Sequence, residues 1–191
     1  VSALKKGNIM KIAIIGAGSI VFCKTLICDI VQIDGIDDVE FALMAPSTRH
    51  TGDVKRYLDR VFAANHIKNA RAYVTTDRRD ALRNADFVIA TLQIGGVEAN
   101  ELDINIPLKY GIDQCIGDTN SIGAIFRALR TIPVMRSLAR DMRELCPNAL
   151  LLNYVNPMAM VCRALDDEKV RFVGLCHGVQ TTIRLIAGYL G

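Results

Sequence analysis

MKIAIIGAGS, residues 10–19, decides the fold of this 191-residue chain. Met10 to Ile15 is an unbroken, largely apolar run of strand length, the pattern of a strand buried on both faces of a parallel sheet. Gly16 ends the run and Gly18 follows it after one alanine. A first glycine permits a sharp turn off the strand. A second removes a side chain where a pyrophosphate must approach the backbone at the positive end of the next helix. That helix is expected over residues 19–33, whose apolar groups share one face, with Ser19 at its cap. The pattern is incomplete, because the third glycine of G-x-G-x-x-G would fall on Val21. The bland alternative is a tight strand-to-helix turn that holds no ligand.

Working outward, further apolar runs predict strands at 39–44, 71–75, 86–92, 150–154 and 172–176. Helical patterns fall at 51–64, near 78–84 and over 122–145, where Pro133 predicts a kink or a break. Residues 93–120 read as a polar, glycine-rich connection. Strands alternating with helices imply an α/β fold, a doubly wound, mostly parallel Rossmann-type sheet of about six strands with helices on both faces. One domain is expected over 10–191, with residues 1–9 an N-terminal extension outside the fold.

Composition narrows the function classes. Twenty-three basic and 20 acidic residues give a net charge of +3 without a basic stripe or tail, which argues against a nucleic-acid partner. No apolar run approaches a membrane span, and residues 1–9 lack the core of a signal peptide. The expectation is a soluble, cytoplasmic protein. Six cysteines without C-x-x-C spacing suit reduced thiols, mostly in the core. A hydrophobic content of 51% leaves room for an apolar face and self-association as a homo-oligomer.

The dinucleotide reading has a second requirement, a carboxylate at the end of the second strand to grip the ribose hydroxyl. Leu43-Met44-Ala45-Pro46-Ser47 carries none there, while Asp37, Asp38 and Glu40 precede or open the strand. Ser47 can make one hydrogen bond and Arg49 can meet a 2′-phosphate, although a solvated residue at a helix start accounts for Arg49 as well. In the second half, Asn153 and Asn156-Pro157 close the fifth strand at the edge where open parallel sheets bind ligands. An asparagine there orients a nicotinamide or a sugar hydroxyl, or serves only an Asn-Pro turn. Cys176-His177 ends the sixth strand. A thiolate ligates a divalent metal and an imidazole ligates or moves a proton, yet a buried thiol beside a helix-start histidine fits the spacing equally. His50 and His66 read as surface residues.

Six segments together resemble the NAD- and manganese-dependent glycoside hydrolases of family 4, and among them the α-galactosidases. They are MKIAIIGAGS (10–19), ADFVIATLQIGG (85–96), IPLKYGIDQCIGDT (106–119), FRALRTIP (126–133), LLNYVNPMAM (151–160) and VGLCHGVQ (173–180). The resemblance implies NAD and Mn2+ as cofactors and a small-molecule glycoside as substrate. It implies oxidation at sugar C3, loss of the acidified C2 proton, elimination of the aglycone, addition of water and return of the hydride, without the usual pair of carboxylates. It implies Cys176 as metal ligand, His177 as a catalytic proton donor, Asn153 and Asp118 as substrate contacts, and Asn156 near the nicotinamide. Gly16, Gly18 and Ser19 would hold the pyrophosphate, with Gln93, Gly95 and Gly96 along the cofactor crevice.

Two local departures stand out. The family usually has an aspartate after Leu-Met on the second strand, where this chain has Ala45-Pro46-Ser47, and its glycine-proline-glycine turn after GDT is Asn120-Ser121-Ile122-Gly123 here. No residue of the chain matches the family's second metal-binding histidine or its tyrosine base, so weak NAD binding and little hydrolysis are expected of the chain by itself. Two other readings compete. One is a lactate- or malate-dehydrogenase-like oxidoreductase; the other is a non-catalytic, degenerate nucleotide-binding module.

Overall fold

The computed structural model describes residues 9–36, 38–114, 117, 119–176 and 178–190, without the side chains of 179–181. In chain order the elements are β1 (Met10–Ile15), α1 (Ile20–Ile30), β2 (Val39–Met44), α2 (Thr48–Ala64), β3 (Ala70–Thr75), α3 (Arg78–Leu82) and β4 (Phe87–Ala90). There follow α4 (Gly96–Leu108), α5 (Ile122–Leu145), β5 (Leu150–Asn153), α6 (Met158–Asp166), β6 (Arg171–Gly174) and α7 (Gly178–Leu190). All neighbouring strands are parallel. Their order, β3-β2-β1-β4-β5-β6, is that of the Rossmann dinucleotide fold.

Strand alternation divides the core in two. Ala13, Ile15, Ala42, Val88, Ala90 and Leu151 join Met135, Leu138, Met142 and Val161 on the face covered by α3, α5 and α6. Ile12, Ile14, Phe41, Leu43 and Ile89 join Cys23, Ile27, Val54 and Leu58 on the face covered by α1 and α2. Each fully buried Leu, Ile or Phe contributes about 1.5–3 kcal/mol of transfer free energy, so both faces of the central strands are strongly held. The expected doubly wound sheet follows directly from this alternation.

Two expectations are corrected. Residues 96–108, read as part of a loop, form α4. Its apolar residues Val97, Leu102 and Leu108 are exposed, whereas Asp103 is buried. The segment therefore lacks a single apolar face, and a charged anchor holds it to α5 in place of one. Arg130 on α5 forms a two-pronged ion pair with Asp103, one arm at 2.7 Å, and its Nε donates to the Ile94 carbonyl at 3.0 Å. The second concerns the break expected as one outcome at Pro133, which lies inside a continuous 24-residue α5 and does not end it. The carbonyl deprived of its helical donor belongs to Leu129, a residue 69% exposed, where water can take the donor's place.

The described cysteines are all free. Cys23 and Cys146 are buried, Cys28 and Cys162 partly so, and Cys176 is exposed. Among the described residues no helix is long and apolar enough to cross a membrane.

Candidate dinucleotide and metal site

The site begins with a register row. Thr75, Met44, Ile15, Ala90, Asn153 and Gly174 lie side by side across the sheet. The residues after them, Thr76, Ala45, Gly16, Thr91, Tyr154 and Leu175, therefore open one continuous carboxyl edge. The sheet changes direction at this edge between β1 and β4, the topological switch point where such folds bind ligands.

Gly16 is there for the fold before any ligand. Its φ is +97°, and a Cβ would stand 2.6 Å from the Leu92 amide nitrogen. The amides of Gly16 and Ala17 both donate to the Met44 carbonyl, at 2.9 and 3.0 Å, and Thr91 Oγ1 donates to the Gly16 carbonyl at 3.1 Å. The turn is thereby tied to the ends of β2 and β4. Gly18 differs, because a Cβ there would meet only His50 Cβ, at 3.8 Å. Packing does not require a glycine at that position. The room it leaves lies where a pyrophosphate approaches the start of α1, so the residues fit a dinucleotide. Ser19 caps α1, its Oγ accepting from the Phe22 amide at 3.4 Å.

Beside the turn lies a cleft of about 280 Å³ lined by Ser19, Phe22, Thr91, Leu92, Gln93, Arg127, Tyr154 and Asn156. Three residues named from the sequence, Ser19, Gln93 and Asn156, thus meet across three different loops. Phe22 and Tyr154 close one wall edge to face, with centroids 5.0 Å apart and planes at 80°. Burial pushes the Tyr154 phenol above its ordinary pKa, and the charge of Asp29 adds to the rise, which keeps the hydroxyl protonated. Asn156 precedes Pro157 through a cis peptide bond.

Other named residues sit around the cleft. Gly95 and Gly96 have φ of +88° and +65° and form the start of α4. A Cβ on Gly95 would lie 2.5 Å from Ala99 Cβ and 3.3 Å from Arg130 Nε, so that glycine serves the α4 anchor. Gln93 Nε2 donates to the Gly96 carbonyl at 3.3 Å. Asn153 is fully buried. Its Oδ1 accepts from the Val155 amide at 3.1 Å, while its Nδ2 donates to the Val155 carbonyl at 3.3 Å. These bonds shape the turn that presents Tyr154 and Asn156.

Cys176 follows β6 on the same edge, two residues beyond the register partner of Asn153. Its exposed Sγ accepts from the Gly178 amide at 3.3 Å, and a thiol so placed can act as one ligand of a metal. Among the described residues no three His, Cys, Asp or Glu side chains gather as a metal site. Asp118 and His177 lie outside the described residues.

Sequence reasoning missed Phe22, Thr91, Arg127 and Tyr154 in the cleft. Tyr154 stands between the two asparagines that were singled out, and the register would have placed it on the edge. Arg127, on the first turn or two of α5, carries no such signal, because a lone cation on an amphipathic helix reads as a solvated face. The second strand ends as its sequence indicates. Ala45 stands where a ribose-binding acid would, and Glu40 pairs with Arg71 at 2.7 Å near the opposite, amino end of the sheet.

Comparison with known proteins decides the family. The family model for family 4 glycosyl hydrolases matches residues 11–191. The chain belongs to that family. An α-galactosidase of Rhizobium meliloti is 49% identical over 95% of this chain and 37% of its own length. An α-galactosidase of Bacillus subtilis is 39% identical over 95% of this chain and 42% of its own. The solved 6-phospho-β-glucosidase of Thermotoga maritima, determined with manganese, NAD+ and glucose 6-phosphate, superposes with a TM-score of 0.79. It shares 27% identity over 95% of this chain and 43% of its own. The family 4 chain thus spans about two-fifths of the length of these relatives. A lactate dehydrogenase of Eimeria maxima aligns at 21% identity with a TM-score of 0.56, a likeness of fold alone.

Proposed function

We propose that this chain is the cofactor-binding half of an α-galactosidase-like glycosidase that uses NAD and a divalent metal, Mn2+, on a small glycoside. The single observation that carries the reading is the cleft at the β1–β4 switch point, where the glycine turn, Ser19, Gln93 and Asn156 meet. Identity of 49% to an α-galactosidase supports the substrate class.

When bound, NAD supplies a reversible hydride acceptor at a sugar carbon, and the metal supplies Lewis-acid stabilisation of sugar oxygens. The chain's own residues do the positioning. Gly18 and the α1 amides receive the pyrophosphate, and Ser19 fixes the first turn of that helix. Phe22 and Tyr154 exclude water from one wall, and Asn156 orients the nicotinamide end with its amide. Asn153, expected from the sequence to touch the sugar, acts instead from beneath the surface by holding the loop that carries Tyr154 and Asn156. The Cys176 thiolate serves as one metal ligand, with Asp118 at the sugar and His177 giving a proton near the leaving group. The remaining metal ligands and the base that takes the C2 proton come from the part of the relatives' length that this chain does not span. The protein acts in the cytoplasm, where thiols stay reduced.

The test is a chimera in which residues 10–190 replace the matching stretch of the Rhizobium meliloti α-galactosidase. With NAD, Mn2+ and a reductant, the folded chimera is expected to hydrolyse nitrophenyl α-galactoside. This chain alone is expected to bind NAD in calorimetry yet release little nitrophenol. An inactive, folded chimera would overturn the glycosidase reading, and robust turnover by this chain alone would overturn the assignment of a half-site.

A further inference from the structure

Resting on the dinucleotide reading above, we infer that the carboxyl end of β2 accepts a 2′-phosphate, so that the cleft takes NADP at least as readily as NAD. The register row fixes where the adenosine ribose meets the protein. Ile15 pairs with Met44, and the glycine turn hangs on the Met44 carbonyl through the Gly16 and Ala17 amides. The first residues past Met44 therefore stand beside the turn. His50 in the first turn of α2 lies 3.8 Å from the position of a Gly18 Cβ, which brings that turn of α2 against the same loop.

An NAD-selective site places a carboxylate here, which accepts from the ribose hydroxyls and repels a 2′-phosphate. This chain has Ala45, whose buried methyl side chain offers neither a charge nor a hydrogen bond at that position. The nearest acids along the chain are already engaged: Asp53 pairs with Arg56, and Asp77 caps α3 by accepting from the Arg79 amide at 2.8 Å. Glu40 and Asp38 are at the other end of the strand, where the Asp38 main-chain carbonyl accepts from the Met10 amide at 2.8 Å. Among the described residues no free carboxylate is left at this edge to reject a phosphate.

A cation is present in its stead. Arg49 is exposed on the first turn of α2, and among the described residues its side chain makes no ion pair or hydrogen bond. Arg56, Arg71, Arg78 and Arg79, in the same half of the chain, each pair with a carboxylate. A guanidinium without a protein anion among the described residues, carried by the neighbour in sequence of His50, has the planar fork and the charge to form a two-pronged bond to a phosphate. Ser47 commits its Oγ to the Arg49 amide at 3.3 Å, which fixes the backbone that carries Arg49.

The experiment is titration calorimetry of this chain with NAD+ and NADP+ at low and moderate salt. NADP+ is expected to bind within about threefold of NAD+ or more tightly, and to lose more affinity than NAD+ as salt rises. Arg49→Met, an exposed change that leaves the core untouched, is expected to weaken NADP+ about tenfold and NAD+ by less than about twofold. Ala45→Asp is expected to shift the ratio of the two affinities about tenfold toward NAD+. NADP+ binding more than about tenfold weaker than NAD+, unchanged in Arg49→Met, would overturn the 2′-phosphate site while leaving the dinucleotide reading intact. Failure to bind either nucleotide would overturn both.

Discussion

The two ends of the carboxyl edge are built on different principles. At the carboxyl ends of β1 and β2 the glycine turn is closed by protein: the Gly16 and Ala17 amides reach Met44, Thr91 reaches Gly16, and apolar side chains fill both sheet faces. Around β6 the strand alternates exposed and half-buried residues. Cys176 stands open, and α7 exposes Ile183, Leu185, Ile186, Tyr189 and Leu190. The first region is rigid through packing of its own, and its chemistry is a shape left by glycine. The second offers reactive groups that its own packing does not enclose. On the proposed function, cofactor recognition would belong to the part that folds most tightly, and metal chemistry to the part that leaves its ligand accessible.

Thiol chemistry gives the largest contrast between the regions. Burial pushes the Cys23 thiol, under the glycine turn's side of the sheet, up to about 11, and Cys146 likewise to about 11. At pH 8 only about one thiol in a thousand is then ionised, and the thiolate is the nucleophile. Cys176 is exposed. In iodoacetamide labelling at pH 8 read by mass spectrometry, the exposed Cys176 is expected to react more than about tenfold faster than the buried Cys23. Because the raised pKa keeps Cys23 protonated, its rate climbs with pH until about 11, provided the chain stays folded. Equal labelling of both at pH 8 would erase the distinction between a closed and an open region.

Glycine substitutions sharpen the same comparison at a smaller scale. Gly16→Ala forces a Cβ to within 2.6 Å of backbone at a φ of +97°, and backbone cannot swing aside. Strain and overpacking together are expected to cost about 3 kcal/mol. At the open end, Gly174→Ala meets Cys162 Sγ at 2.9 Å and the Met158 Cγ and Sδ at 3.0 Å. These are ends of flexible side chains, so the cost is expected to stay below about 1 kcal/mol. Urea denaturation of both variants checks the ratio, and similar losses would show the β6 end to be as rigid as the β1 end.

The legible parts of the molecule are those where one pattern dictates one structure. Met10–Ile15 and Phe87–Ala90 are apolar because both faces of a central parallel strand are buried, and Gly16 is glycine because no other residue fits its turn. Strand order and the placing of Asn156 at the edge followed from those rules. What escaped was structure held by pairs distant in sequence. Nothing in residues 96–108 announces that Asp103 will be buried by Arg130, 27 positions later, so α4 read as a loop. Pro133 carried a local rule that an exposed turn of α5 relaxed. Arg127 looked like any solvated cation until the fold set it across from Ser19 in the cleft.

Gly18 separates fold from function most cleanly, since the two glycines of the turn are absent of side chains for different reasons. Gly16 is required by backbone 2.6 Å away, whereas a Cβ on Gly18 would meet only His50 Cβ at 3.8 Å. Gly18→Ala therefore adds a Cβ that meets its nearest neighbour at ordinary van der Waals distance, and the melting temperature is expected to stay within about 3 °C of the parent. The same Cβ occupies the approach to the α1 amides, and NAD affinity is expected to fall about tenfold in calorimetry. A variant that unfolds would show that Gly18 serves packing after all. One that stays folded and binds NAD normally would move the pyrophosphate away from this turn, and with it the physical basis for placing the cofactor at the β1 end of the sheet.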